Sequence, residues 1–229
     1  MGCSVNRAKL SPAEQRFALG ELELQYTPIE CTKVDLIHRK YSHNLAINEN
    51  QWLTINRSLS LSLNNPQSSF SQQIKFYYDQ YKESGVYTLQ PLLCLGIILS
   101  QGSVSEKSKL IFEAFVVNGS KKISRQGVLD VFNTLFDVFV KKGEKLVKDN
   151  EEVMVSLSEH EELVNKMKAG KKELREVFVQ GILGSENFVE LNRFVEWFAE
   201  CGNKQFMDSN GFRRELRKAA NKKKGKILN

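Results

Sequence analysis

The 229-residue sequence has little cysteine, and its four cysteines are dispersed along the chain. No Cys-x-x-Cys pair occurs, which argues against a zinc site or a disulfide framework and favours a reducing compartment. The cysteines lie at Cys3, Cys31, Cys94 and Cys201. The sequence also lacks both the run of about 18 apolar residues that a membrane-spanning helix needs and the apolar core of a secretory signal. We therefore expect a cytosolic protein.

Catalytic signatures are equally scarce. There are only three histidines, and no His-Glu-x-x-His motif, Gly-x-Ser-x-Gly elbow, P-loop or dinucleotide-binding glycine fingerprint is present. His38 and His43 have the wrong spacing for a metal pair on one helix face, and His160 lies in a charged segment typical of a solvated surface. The sequence predicts neither an enzyme nor a cofactor.

Positive charge is concentrated at the C-terminal end. Residues 211–229 carry a net charge of +7, which exceeds the +6 of the whole chain and leaves −1 for residues 1–210. We expect the first half of this segment to form a helical turn or two, with Phe212, Leu216 and Ala219 on one side, and the lysine cluster to be flexible. The basic residues are Arg213, Arg214, Arg217, Lys218, Lys222, Lys223, Lys224 and Lys226.

Three roles are open for this basic tail. It could contact an anionic membrane or an acidic protein surface. At an anionic membrane, each basic residue contributes about 1 kcal/mol to binding. It could also be a solvated, solubilising end. Nucleic acid is the least favoured partner because the rest of the chain offers no basic stripe interleaved with aromatic residues.

The N-terminus carries an acylation signal. Gly2 can accept a myristoyl group on its α-amine once the methionine is removed, although Asn6 departs from the Ser or Thr preferred at that position. A single myristoyl chain binds membranes only marginally, so stable anchoring takes a second signal. Palmitoylated Cys3 would provide it, with Arg7 and Lys9 adding charge. The alternative is that this beginning is incidental.

A helix–loop–helix pattern recurs four times along the chain. Each repeat has an apolar helix, a short polar loop, one extended apolar residue and a second helix, which is the organisation of a protein with four EF-hands. The clearest second helix is residues 124–140, where apolar residues follow helical spacing and Ser124 is the expected N-cap. We expect contacts between Ile47 and Tyr87 and between Ile123 and Phe188 to pair the loops.

Residues 102–135 resemble the third hand of the calcineurin B and neuronal calcium sensor families. The resemblance lies in Ser-x-Glu-Lys ahead of Leu-x-Phe-x-x-Phe, a short loop, Ile-Ser and an amphipathic helix. The preceding segment, residues 92–103, resembles the end of the second hand, and an N-terminal acylation signal is typical of the same group. The resemblance is strongest over residues 70–140 and implies an EF-hand-like fold.

The loops lack calcium ligands. A calcium loop supplies oxygens from positions 1, 3, 5, 7, 9 and 12, with glycine at 6 and a bidentate glutamate at 12. With Ile123 at position 8, the third loop has Asn118 at 3, Lys121 at 6 and Gly127 at 12, and no carboxylate. The first and last positions of the other loops are Lys40 and Gln51, Gln80 and Pro91, and Gly181 and Asn192. We predict that calcium does not bind and that no other metal site exists.

An EF-hand-like lobe without a metal switch usually grips an amphipathic helix of a partner in an apolar groove. The aromatic residues of two predicted helices are the candidate groove walls, with ordinary core packing as the alternative. These residues are Phe132, Leu135, Phe136, Phe139, Phe194, Trp197 and Phe198.

The sequence thus predicts an all-α fold of two lobes, each made of paired EF-hand-like units with minimal β contacts between loops. The expected divisions are an acylation segment (1–11), an N-terminal lobe (12–103), a C-terminal lobe (104–202) and a basic tail (203–229). The function hypothesis is a non-catalytic, membrane-tethered adaptor that binds a partner protein. The alternatives are a calcium sensor with one non-standard site and a structural subunit of a large assembly.

Overall fold

The computed structural model describes residues 10–62, 71–116, 120–146 and 156–227. They are mostly helical, which confirms the all-α class, and none of their helices is long and apolar enough to cross a bilayer. The α-helices are α1 (Pro12–Glu23), α2 (Cys31–Lys40), α3 (Glu49–Leu59), α4 (Ser71–Asp79), α5 (Leu89–Leu99), α6 (Val104–Phe115), α7 (Arg125–Phe136), α8 (Leu157–Leu183), α9 (Leu191–Ala199) and α10 (Ser209–Ile227).

Short polar residues start several of these helices. Ser11, Asn48, Ser103 and Ser156 each accept a hydrogen bond from the third residue of the helix that follows, and the side chain of that residue bonds back to the backbone of the cap. Such reciprocal capping satisfies two backbone donors that a helix start leaves open. Ser124 caps α7 by accepting from the backbone nitrogen of Gly127 at 3.2 Å, so the predicted N-cap is confirmed.

Two strand pairings connect the helix–loop–helix units. In the first half, β1 (Ala46–Ile47) is antiparallel to β3 (Val86–Thr88), which also forms a hairpin with β2 (Lys82–Glu83). Ile47 lies directly opposite Tyr87, as the sequence predicts. Both side chains are buried, so the pairing is fixed by the core beneath it.

In the second half, β4 (Lys122–Ser124) pairs with β5 (Phe188–Glu190). Ile123 lies opposite Val189, so the predicted contact with Phe188 is wrong by one residue. Successive strand residues point to opposite faces, and Val189 takes the buried face while Phe188 is 57% exposed.

A single hydrophobic cluster runs through both halves of the chain. Helices α2 and α5 of the first half pack against α6 of the second, and α5 also packs against α7. The two lobes expected on either side of residue 103 therefore share one hydrophobic core.

The C-terminal segment belongs to this core and is not a flexible tail. After a 3₁₀ turn (Lys204–Met207), α10 continues to Ile227 and packs along α8. Phe212, Leu216 and Ala219 are buried, which confirms that they share one side. The two helices approach closely at Gly170, where an added Cβ would lie 1.9 Å from the carbonyl oxygen of Leu216. Any side chain at residue 170 would push α10 away.

A buried ion pair ties α10 to α1. Arg213 is only 1% exposed, and its Nη1 and Nη2 lie 2.7 and 3.0 Å from the two carboxylate oxygens of Glu21. Nη1 also donates to the carbonyl of Phe139 at 3.2 Å, and Ser209 donates to Glu21 at 2.7 Å. The guanidinium lies 4.8 Å from the Phe17 ring. We call this set of contacts the Arg213 latch.

The carbonyl of Phe139 belongs to a π-helical segment, Asp137–Lys142, that directly follows α7. A π-helix widens the turn and disturbs the regular hydrogen-bond ladder. The sequence-based helix over residues 124–140 is therefore two segments, and the second places a carbonyl oxygen where Arg213 needs an acceptor.

Replacing Arg213 with alanine should lower the free energy of unfolding by about 3–5 kcal/mol, because the carboxylate of Glu21 stays buried without its partner. Urea unfolding monitored by circular dichroism measures this. Arg214→Ala is the matched control, since Arg214 is exposed and lies 4.0 Å from its nearest carboxylate; it should change stability by less than about 0.5 kcal/mol. Equal effects of the two substitutions would contradict the latch.

The core of the first half contains a neutral histidine. His38 is fully buried, its Nδ1 lies 2.8 Å from the carbonyl of Val34, and its ring packs near Tyr26 and Trp52. Burial lowers the pKa of His38 from 6.5 to about 4, with the backbone hydrogen bond acting in the opposite direction. The imidazole therefore stays uncharged at neutral pH and is a core residue.

Because the pKa of His38 is lower in the folded state than in the unfolded one, the unfolded chain binds the proton more tightly. Stability should fall as the pH drops through the window from about 6.5 to about 4, by about 3 kcal/mol for this group. His38→Gln should remove that component from the pH dependence of urea unfolding. The exposed His43 is the control: if His43→Gln flattened the profile as much, the assignment to His38 would be wrong.

Candidate functional site

The structure describes the predicted tail residues but neither of the predicted lipidation residues. Gly2 and Cys3 lie outside the described residues. Within the predicted basic tail, Arg213 is buried in the latch and Arg217 is hydrogen-bonded to Glu14, so neither is free to contact a membrane or a partner. Arg214, Lys218 and Lys222 are exposed on α10. For Lys223, Lys224 and Lys226, only the helical backbone is described.

The predicted groove is closed by the protein itself. All seven candidate wall residues are 0–4% exposed, and α10 and the 3₁₀ turn before it supply the covering side chains. The ring of Phe212 lies 5.8 Å from that of Phe132, and the ring of Phe206 lies 5.3 Å from that of Trp197. The prediction of an open groove at these residues is wrong because the C-terminal segment packs there. The residues are Phe132, Leu135, Phe136, Phe139, Phe194, Trp197 and Phe198.

A lysine lies between the paired loops of the first half. Lys82 Nζ is 2.8 Å from a carboxylate oxygen of Glu49 and 2.7 Å from one of Asp79, and it lies 4.6 Å from the ring centre of Tyr87. Partial burial acts to lower the pKa of Lys82, but hydrogen bonds to Asp79 and Glu49 dominate and raise it above its ordinary value. The ammonium thus remains charged, bridges both carboxylates and offsets one of their two negative charges.

The backbone of these two loops turns at a pair of left-handed residues in each. Asn44 and Leu45 have φ values of 49° and 63°, and Ser84 and Gly85 have values of 51° and 83°. His43 and Ala46 exchange both backbone hydrogen bonds across the first turn, at 2.8 and 2.9 Å. Two consecutive residues with positive φ are what a tight two-residue hairpin requires. The loops are therefore closed by their own backbone.

In the second half, the observed strand register changes the assignment of loop positions. With Val189 at position 8, Glu186 falls at position 5, Glu190 at 9 and Arg193 at 12. A guanidinium then stands where a calcium loop needs its bidentate carboxylate. The carboxylate of Glu190 is itself 3.0 Å from the ammonium of Lys122 on the paired strand.

Two of the described cysteines and two of the described histidines are engaged in packing. Within the described ranges, no three His, Cys, Asp or Glu side chains converge as metal ligands would. Burial raises the pKa of the Cys31 and Cys94 thiols, which disfavours the nucleophilic thiolate. His160 packs on Phe17 at 5.0 Å between ring centres, so the expectation of a solvated histidine is wrong.

An open cleft of about 950 Å³ lies on the outer face of α7. Its floor follows one helix face, with Gly127, Asp130, Thr134 and Asp137 at spacings of three or four residues. One side is bounded by the start of α5, and Lys171 of α8 lies at one end. The lining also includes the apolar residues Pro91, Phe115, Ile123 and Phe188 and the basic residues Lys122, Lys141 and Lys171.

The basic end of the cleft has a specific arrangement of charge. Asp137 is hydrogen-bonded to Lys142 and lies 3.3 Å from Lys141. Partial burial acts to raise the pKa of Asp137, but these two lysines lower it, so its charge is compensated. Lys171 instead lies 4.6 Å from the ring centre of Phe136. Among the described residues, no carboxylate forms an ion pair with Lys171.

Comparison of the chain with protein-family models, curated proteins and solved structures found no match. The functional argument therefore rests on the geometry of this chain. The cleft was missed by sequence reasoning because its floor is the polar side of an amphipathic helix. The sequence signal that could have drawn attention to it is the polar face of α7, with Gly127, Asp130 and Thr134, followed by lysines at 141 and 142.

Proposed function

We propose that this protein is a non-catalytic, membrane-tethered adaptor, built on a degenerate EF-hand-like scaffold that works without calcium. The observation that carries the proposal is the position of Lys82 between Glu49 and Asp79. An ammonium there supplies positive charge between the paired loops. One of the two carboxylate charges is thereby compensated without a divalent cation.

The arrangement of the strands supports the EF-hand-like part of the proposal. Two helix–strand–helix units are joined through β1 and β3, and two more through β4 and β5. In EF-hand sensors, calcium converts a closed helix pair into an open one. Loops closed by hairpin hydrogen bonds and ion pairs, over a single shared core, favour one fixed state. A fixed shape is suited to holding a partner.

The membrane part of the proposal rests on the sequence of the N-terminus. Since Arg213 and Arg217 are engaged within the fold, fewer basic residues remain to attract an anionic leaflet than the sequence suggested. A myristoyl group on Gly2 would then depend on a second acyl chain, at Cys3, for stable anchoring. We propose that the protein is held in this way on the cytosolic face of a membrane.

Calcium should produce no binding heat and no change in melting temperature. Isothermal titration calorimetry of metal-free protein with calcium, repeated with magnesium, tests this directly. Stabilisation by a ligand grows as its free concentration exceeds the dissociation constant, so a calcium sensor with one non-standard site would release or absorb heat in the micromolar range and melt higher. That result would overturn the proposed function.

The intact chain isolated from its native cells should lack Met1 and carry a myristoyl group, with a palmitoyl group on a fraction of molecules. Gly2→Ala should abolish membrane association, whereas Cys3→Ser should keep the myristoyl group but allow release by washing. Mass spectrometry and membrane fractionation measure these outcomes. An unmodified N-terminus would instead support the soluble subunit of a large assembly.

A further inference from the structure

The adaptor needs a surface for its partner, and the aromatic residues predicted for that role are covered by α10. The cleft on α7 differs from them in being open. Its floor is a regular helix face, and its walls come from α5, α8 and the β4–β5 pair. Because these elements pack on one core, the cleft is preformed. Binding then costs little conformational entropy in the residues that line it.

The apolar end of the cleft is built around Phe188. This ring is 57% exposed, because Val189 takes the buried position of β5. Pro91 and Phe115 also line the cleft, and so does Lys122, whose ammonium is paired with Glu190. An exposed aromatic ring over a preformed wall is the kind of feature that serves as a contact for an apolar side chain of a partner.

The opposite end presents hydrogen-bond donors and positive charge. Lys141 and Lys171 lie there with the hydroxyl of Thr134 and the amide of Asn133. Asp137 is already compensated by Lys141 and Lys142, whereas Lys171 has no carboxylate ion pair within the described part of the chain. Desolvation, together with proximity to Lys141 and Arg175, lowers the pKa of Lys171, and the nearby charge of Asp137 acts in the opposite direction. A bound carboxylate would add to the compensation that Asp137 provides.

One acidic side chain lies between the two ends. Asp130 accepts a hydrogen bond from the amide of Gln126 at 2.8 Å. It would repel acidic residues placed over the middle of the cleft. The acidic part of an occupant is therefore expected at the Lys171 end and its apolar part at the Phe188 end.

We propose that this cleft binds a short acidic segment of a partner protein, with an apolar side chain against Phe188 and carboxylates at Lys141 and Lys171. The inference rests on the proposed adaptor function and names the chemistry of its partner. Complementary charge fixes the direction of the segment, and the apolar contact contributes most of the burial.

Two fluorescein-labelled synthetic peptides test the proposal by fluorescence anisotropy with the full chain. The first carries one phenylalanine followed, about three residues later, by a run of glutamates; the second has glutamines in place of the glutamates. The first should bind, with an affinity that weakens as salt is added, and the second should bind at least about tenfold more weakly. Amide chemical shifts should move at residues 126–134 and around residue 171.

Substitutions at the two ends have matched controls on α8. Lys171→Glu and Phe188→Ser should each weaken binding of the glutamate peptide by about tenfold or more. Lys172→Glu makes the same charge change at an exposed residue outside the cleft, and Val177→Ser removes an exposed apolar side chain that also lies outside it. Both controls should bind the peptide like the wild type. All four residues are at least partly exposed, so folding should be preserved, and circular dichroism checks this.

Equal loss in Lys171→Glu and Lys172→Glu would mean non-specific attraction and would overturn the proposal. Absence of peptide binding would also overturn it, as would binding of phosphatidylserine vesicles that depends on Lys171 while the peptide does not bind. In each of these cases the calcium titration remains separate: a calcium-insensitive protein that fails to bind the peptide keeps its proposed function and loses only this cleft assignment.

Discussion

The Arg213 latch constrains the whole C-terminal half of the molecule. Removing a guanidinium from water is costly, and only close, well-oriented acceptors compensate for it. Glu21 supplies two such acceptors and Phe139 a third, and they come from α1 and from the π-helical segment after α7. The side chain can meet all of them in only one register of α10. That register places Phe212 and Leu216 over the aromatic core.

Two functional consequences follow from this closure. The aromatic side chains of α7 and α9 pack against α10 and the 3₁₀ turn before it, so they do not line a groove for a partner helix. At the same time, packing the inner side of α7 against α8 leaves its polar side open, with Phe188 and Lys171 at the two ends. The paired loops of the first half are bridged in a comparable way, because Lys82 contacts both Glu49 and Asp79 from within the chain. The Arg213 latch and the Lys82 ion pairs are both formed within the chain, and the cleft on α7 stays open at the surface.

Local features of the fold were predictable from the sequence. Ser124 caps α7, and Phe212, Leu216 and Ala219 share a buried side, because both depend on residues within one or two helical turns. The Ile47–Tyr87 pairing was predictable from the repeat. The latch was not, since Glu21 and Arg213 are 192 residues apart and a basic run resembles a solvated end. Phe188 and Val189 are both apolar, so hydrophobicity alone could not decide which one faces the core.

In the folded protein α10 is a permanent part of the core and not a detachable tail. Native-state hydrogen exchange tests this, because it reports the free energy of the opening that exposes each amide. We expect amides of residues 212–220 to exchange only through global unfolding, at the same free energy as those of residues 92–98 in α5. Exchange of residues 212–220 through a much cheaper local opening, while α5 stays protected, would contradict it and restore the aromatic groove as a binding surface.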